Sequence, residues 1–207
     1  MNPIEYFYAG YSGYAYLGSR RFMEIANAAG RAIRHRPFDL RYLLDHNGSQ
    51  PFDERSEAYG AYHFVRQIER WSEYRNMPVA RLNPTYHGNT IDPSNKMLIA
   101  AVELGHNIDE LSCIMMEQHW RYDVDLADLS ALQEIARLAG LDPAPLMERL
   151  DADSVQATYD ANTAEAVKMG LLGSPTYIVD GDMVYGQDHL SFVERALEKP
   201  FTLCIPN

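Results

Sequence analysis

Few residues in this chain combine a reactive side chain with a placement that chemistry could use, and Ser12 is the first of them. It follows the small-residue break Ala9-Gly10-Tyr11. It stands just ahead of Tyr14, Leu17, Phe22, Ile25 and Ala29, which recur at helical spacing until Gly30 supplies a stop. Taken alone, a serine there is an N-cap that satisfies an orphan N–H and stabilises the helix by about 1 kcal/mol.

The second stretch runs from Gly173 to Leu190. Tyr177 to Val179 and Met183 to Tyr185 read as two short strands, and Asp180-Gly181 between them offers the positive φ angles of a tight hairpin. Pro175 stands before the first strand, where no ladder donor is needed and a cis bond is open to it. Gln187, Asp188 and His189 then lead into a final helix.

Other reactive residues do not assemble into a pattern. Cys113 and Cys204 stand far apart in unrelated contexts, so a disulfide framework or zinc site is not expected and both read as buried small apolar residues. None of the seven histidines forms a His-x-x-x-His pair. His119 with Asp123 and Asp125 reads as exposed helix-end charge rather than a metal cluster. No strand leads into a Gly-rich phosphate loop, and Gln156 to Asn162 holds no nucleophile elbow. No metal is expected.

The elements that must position these residues are legible from periodicity. Ile4, Tyr6 and Tyr8 mark a first strand, the helix from about Tyr14 to Ala29 follows, and Ala32 to Phe38 marks a second strand, parallel to the first because of the crossover. Asp39 to Leu44 leads into the polar loop Asp45-His46-Asn47-Gly48-Ser49-Gln50-Pro51. From about Glu54 the pattern turns helical for over a hundred residues, with Ala61, Val65, Ile68 and Trp71 on one stripe. Helices are expected from Asp92-Pro93, with Asp92 as the cap, to Leu104, from Ile108 to about Arg121, and from about Asp128 to Ala139. Two more run from Asp142-Pro143 to Leu150 and from Ser154 to Met169. At 207 residues the chain suits one domain carrying an insertion. A net charge of −11 argues against nucleic acid and anionic membrane surfaces as partners. Apolar runs are too short for a membrane helix, Met1 to Glu5 carries no signal peptide, and the cysteine usage suits the cytoplasm.

Two motifs carry a resemblance. Ser174-Pro175-Thr176 followed by strand, turn, strand and Gly186-Gln187-Asp188-His189-Leu190 is similar to the 2-hydroxychromene-2-carboxylate isomerases and their relatives, the kappa-class glutathione transferases and DsbA-like thioredoxin-fold proteins. Ser12-Gly13-Tyr14-Ala15-Tyr16-Leu17 resembles the isomerases' Ser-Pro-Tyr-x-Tyr-Leu. In redox members a Cys-x-x-Cys occupies this junction; here both sulfurs are absent. Gly13 replaces the usual proline and loosens the turn, Ala9-Gly10 replaces Asp-Phe, and His189 replaces an arginine. Trp71, the Ala100-Ala101 region and Glu117 to Trp120 also look similar, so the resemblance spans essentially the whole chain.

The resemblance implies an α/β thioredoxin-like fold (βαβ … ββα) with a large all-helical insertion, of the DsbA and kappa-class type. Residues 1–45 and 171–207 would form the thioredoxin-like domain and 46–170 the insertion. It implies glutathione as cofactor, Ser12 as the catalytic hydroxyl, and a cis Pro175. A free thiol, with a pKa of about 8.5, is mostly protonated at neutral pH. A glutathione thiolate held over Ser12 would accept the hydroxyl hydrogen, a bond contributing about 1.5–3 kcal/mol, and face the helix N-terminus, which adds about 0.3–1 kcal/mol. Together these would lower its pKa by roughly 1–3 units at ~1.36 kcal/mol each, enough to make thiolate the main species near pH 7. Ser174 would pair with the cysteinyl backbone of glutathione, while Gln187, Asp188 and His189 would meet its γ-glutamyl end. Asn47 is the match for an asparagine that reaches glutathione in the family, and is equally a turn-forming asparagine. Tyr14 and Tyr86 are candidate walls for an aromatic substrate, or core residues. The implied reaction is cis–trans isomerisation of 2-hydroxychromene-2-carboxylate to trans-o-hydroxybenzylidenepyruvate, an intermediate of naphthalene breakdown, by a homodimer. Glutathione conjugation of electrophiles and a non-catalytic binding protein remain as alternatives. Disulfide exchange is disfavoured because Ser12 and Ala15 occupy the cysteine positions.

Overall fold

The structure is a computed structural model that describes residues 2–50 and 54–202; Met1, Pro51 and Cys204 lie outside the described residues. Strand β1, Ile4–Tyr8, and strand β2, Ile33–Pro37, pair in parallel, with Ile4 opposite Ile33 and Tyr8 opposite Pro37. Helix α1, Gly13–Ala28, makes the crossover between them. Strand β3, Thr176–Val179, runs antiparallel to β1, and β4, Asp182–Tyr185, antiparallel to β3, which gives the order β2-β1-β3-β4.

The two inner strands are buried on both faces, and their alternation sorts them into two cores. Ile4, Tyr6, Tyr8, Tyr177 and Val179 face the main cluster with Leu17 and Phe22 of α1 and with Val193 of the last helix, α10, Leu190–Glu198. Phe7 and Ile178 face the other way, against Phe38, Leu43, Ala166 and Leu171. The hairpin turn has φ of 50° at Asp180 and 94° at Gly181, the pair of positive angles that matches the twist of the flanking strands. Asp180 also receives both terminal nitrogens of Arg31, at 3.2 and 2.9 Å, so the turn is tied to the loop before β2.

The helices between β2 and β3 largely start and stop where caps predict. They are α5, Asp92–Glu103, α6, Asp109–Tyr122, α7, Leu129–Leu138, α8, Pro143–Arg149, and α9, Asp153–Lys168. Before them come α2, Leu40–His46, α3, Glu57–Gly60, and α4, Gln67–Arg75. Among the described residues none of these helices is long and apolar enough to cross a membrane.

Three local expectations change. The segment after Asp39 is helical rather than the approach to a loop, because Asp39 accepts from the Tyr42 N–H at 3.0 Å and Leu43 anchors the single apolar face. Between α3 and α4 the chain makes a π-helical turn, Ala61–Arg66. A π turn holds more residues than an α turn, so positions before it slip out of phase with those after it. Of the expected stripe only Ile68 is buried and Trp71 half-buried, while Ala61 and Val65 are exposed. Finally, Asp92 lies inside α5 rather than capping it, and its carboxylate accepts from the Tyr159 hydroxyl at 3.2 Å.

Candidate active site

The two stretches singled out by chemistry meet at the end of β1. The Ser12 hydroxyl donates to the Ser174 carbonyl at 3.1 Å across 162 residues of sequence, and accepts from the Ala15 N–H at 3.3 Å as the cap of α1. Three residues before Ser12 the contact is returned: the Ala9 N–H donates to the Ser174 Oγ at 3.1 Å. The Ser174-Pro175 bond is cis. Both serines are buried to within 7% of full burial, so these contacts are made away from bulk water. The loop between them is held from a third side, where the Gly10 N–H donates to Asn95 Oδ1 at 3.0 Å.

Ser12, Tyr14 and Ser174 line a cleft of about 760 Å³, together with Arg41, His63 and His87 among others. That volume is in the range of small-molecule sites. Although the chain is strongly acidic, the residues lining the cleft include two arginines, Arg41 and Arg55, and one carboxylate, Asp45, so the cleft is biased towards anions. One wall is the π-helical turn, whose His63 carbonyl accepts from the Tyr14 hydroxyl at 2.6 Å. Burial is the main cause that pushes the Tyr14 phenol well above its ordinary range, with the Asp188 carboxylate adding to it.

The remaining sequence candidates are placed less centrally. Asn47 donates to the Leu171 carbonyl and accepts from the Ser49 N–H, both at 3.0 Å, the turn-forming arrangement. Gln187 is fully buried beneath α1: a Cβ on Gly18 would stand 2.4 Å from the Gln187 Cβ, and its side-chain amide has no partner among the described residues. Gln187 therefore does not face the cleft. Asp188 is exposed and outside the cleft lining, but close enough to act electrostatically on Tyr14, His63 and Tyr185, which line it. His189 is exposed and its Nδ1 donates to the Tyr185 carbonyl at 2.7 Å. Tyr86 is 42% exposed and lies outside the cleft lining. Cys113 sits buried in α6, where burial pushes its thiol up to about 11.

Sequence reasoning missed the inner end of the cleft. His119 is not an exposed helix-end charge but 1% exposed, with Nδ1 at 2.9 Å from the Val124 carbonyl and Nε2 at 3.0 Å from His87 Nδ1. The neighbouring acids are committed elsewhere, Asp123 to Thr85 and Arg81 and Asp125 to Asn89. Trp120 closes this end and donates from Nε1 to the Tyr11 carbonyl at 2.8 Å. No local spacing links His87 with His119; only the packing of the loop before α5 against α6 does.

Trp120 also explains Gly13. A Cβ at position 13 would lie 2.6 Å from its indole, so glycine is required for close approach rather than loosening the turn. Gly13→Ala is expected to displace the indole and cost about 1–3 kcal/mol, the usual overpacking penalty. A urea midpoint shift together with a changed tryptophan emission would register both effects; an unchanged emission maximum would mean that Trp120 does not move.

The βαβ unit, the β-hairpin with its cis proline and the interposed helices define a thioredoxin-type protein whose helix N-terminus carries serine where redox members carry cysteine. The profile of the DSBA-like thioredoxin domain family matches residues 3–198, and the chain belongs to that family. More particularly, it is similar to the curated 2-hydroxychromene-2-carboxylate isomerase of Sphingobium xenophagum, 24% identical over 94% of this chain and 97% of that protein. The isomerase of the same name from Pseudomonas sp. strain C18 is 21% identical over 94% of this chain and 89% of its own. A solved 2-hydroxychromene-2-carboxylate isomerase superposes with a TM-score of 0.74 at 18% identity, covering 95% of this chain and 94% of that one.

Proposed function

We propose that the chain is a glutathione-dependent cis–trans isomerase of 2-hydroxychromene-2-carboxylate or a related aromatic pyruvate. The observation that carries this reading is the Ser12–Ser174 contact at the wall of the cleft. The relatives' shared name supports the reaction class. The residues present fit the cofactor: the cleft is roomy, holds two arginines, and offers a hydroxyl whose hydrogen goes only to a backbone carbonyl at the cleft wall.

Bound there, glutathione would supply a thiolate that adds to the conjugated double bond of the ring-opened substrate and leaves again after rotation. Ser12 would turn its hydroxyl from the Ser174 carbonyl to the sulfur while keeping the Ala15 N–H as donor to its oxygen. The same turn would free the Ser174 carbonyl to accept a peptide N–H, in the manner of an added strand, with the cis Pro175 bond setting its direction. One exchange of partners thus serves both sulfur and peptide. Asp188, exposed and close to Tyr14 and Tyr185 of the cleft, would meet the γ-glutamyl ammonium, and Gln187 is too deeply buried to share that role. The resemblance that supports this reading also implies a cytoplasmic homodimer, which sedimentation would test.

Ser12→Ala is expected to reduce the isomerisation rate by roughly 10- to 150-fold, the loss of one hydrogen bond to a charged group. Calorimetry with glutathione, read alongside the thiolate absorbance, should show ionisation on binding to the wild type and its loss in the variant. Absence of binding at millimolar glutathione would overturn the reading.

A further inference from the structure

The inner end of the cleft presents a group whose polarity is set by a chain of hydrogen bonds. The Val124 carbonyl can only accept, so His119 must donate to it from Nδ1, across 2.9 Å. Burial, chiefly, disfavours the charged form of His119, and a neutral ring protonated on Nδ1 has a bare lone pair on Nε2. His87 Nδ1 faces that lone pair at 3.0 Å and must therefore donate to it. Burial and the proximity of His119 and Arg41 keep His87 neutral as well. A neutral His87 protonated on Nδ1 holds an acceptor at Nε2. That atom has no partner among the described residues and is not sealed from solvent, and the ring lines the cleft.

The surroundings narrow what it accepts from. The His87 ring lies 4.8 Å from that of Tyr11 and 5.3 Å from that of Trp120, so this end of the cleft is walled by aromatic faces. Arg41 donates to the His87 and Asn89 carbonyls at 2.9 and 3.0 Å, which pins the loop, and its guanidinium lies 5.4 Å over the Tyr11 ring. A cation, a neutral acceptor and aromatic walls therefore occupy one end of the cleft. From this geometry we infer that His87 is a specificity-determining residue whose Nε2 accepts a hydrogen bond from a hydroxyl carried on the aromatic ring of an acidic substrate. The inference rests on the reading of the cleft as the isomerase site, and assigns to one residue the recognition of the ring hydroxyl that distinguishes that site's hydroxyaryl acids from plain aryl acids. His119 acts through His87, as a positioning residue that holds its tautomer.

The test uses two probes in the absence of glutathione, benzylidenepyruvate and its ortho-hydroxy counterpart, each titrated by quenching of tryptophan emission. The hydroxylated probe is expected to bind the wild type about 5- to 100-fold more tightly, because a site built to accept a hydrogen bond rejects the analogue that lacks it. His87→Phe should abolish this preference while leaving glutathione binding, measured separately, within about twofold. His119→Met, which removes the acceptor that holds the tautomer, should reduce the preference while His119→Gln, whose amide oxygen can accept from Nδ1, should retain most of it. Equal binding of the two probes by the wild type, a preference that survives His87→Phe, or failure of both probes to bind would overturn the inference. Because glutathione is absent from these titrations, they can fail while the Ser12 experiment succeeds, and the reverse.

Discussion

Asn95→Ala is expected to lower the free energy of unfolding by about 2–6 kcal/mol, since two buried backbone groups lose their partner and each such loss costs about 1–3 kcal/mol. Asn95 is fully buried in α5. Its Oδ1 accepts from the Gly10 N–H at 3.0 Å, and its Nδ2 donates to the Phe38 carbonyl at 3.1 Å and more weakly to the Tyr159 hydroxyl at 3.4 Å. One amide thus joins the loop before Ser12, the end of β2 and helix α9. Alanine fills none of these roles, and a water entering the vacated space would bring the loss towards the lower end of the range. The effect should also reach the site, because Gly10 lies two residues before Ser12 and a loosened loop would misplace its hydroxyl. Urea denaturation would show a lower midpoint with an unchanged slope, the sign of lost stability without a changed unfolded state. A loss well under 1 kcal/mol would mean that Asn95 does not hold this junction.

What was legible in the sequence and what was not divides along the range of the interactions. The hairpin was legible because Asp180-Gly181 is a local signal: both residues adopt positive φ, which few other pairs do cheaply. The starts of α7 and α8 were legible because Asp128 and Asp142 cap within two residues of themselves. Helix α2 escaped because seven residues with one fully buried side chain, Leu43, show no period. The π turn escaped because a change of helical phase leaves no compositional mark, yet it puts His63 and Phe64 on the cleft wall. The pairing of Ser12 with Ser174 was accessible only through a resemblance, since no rule of spacing connects residues so distant. Asn95 and the His87–His119 pair had no such support. A mid-helix asparagine and two scattered histidines are unremarkable until the fold supplies their partners.

The same histidine pair gives the chain an expected weakness in mild acid. Burial holds the His87 imidazole down at about 4 from an ordinary 6.5, with His119 and Arg41 contributing, and burial lowers His119 and His63 in the same direction. A depressed histidine binds its proton more weakly in the fold than in the unfolded chain. Between the two pKa values the unfolded state therefore holds more protons, and stability must fall as pH falls. The loss begins as pH drops below about 6.5 and is complete for His87 below about 4, where it would reach at most about 3 kcal/mol. At pH 5 about 2 kcal/mol of this should already be gone. Carboxylates held low by their partners, such as Asp109 by His35 and Asp180 by Arg31, lose their contribution at still lower pH, since their ordinary value is 3.8. The histidines thus have the interval from pH 7 to pH 5 largely to themselves. Urea midpoints across that interval should fall for the wild type and fall less than half as far for His87→Phe, which cannot take up the proton. Equal midpoints at pH 7 and pH 5 in the wild type would mean that the pair protonates within the fold, and His87 could then no longer be the neutral acceptor that the cleft geometry requires.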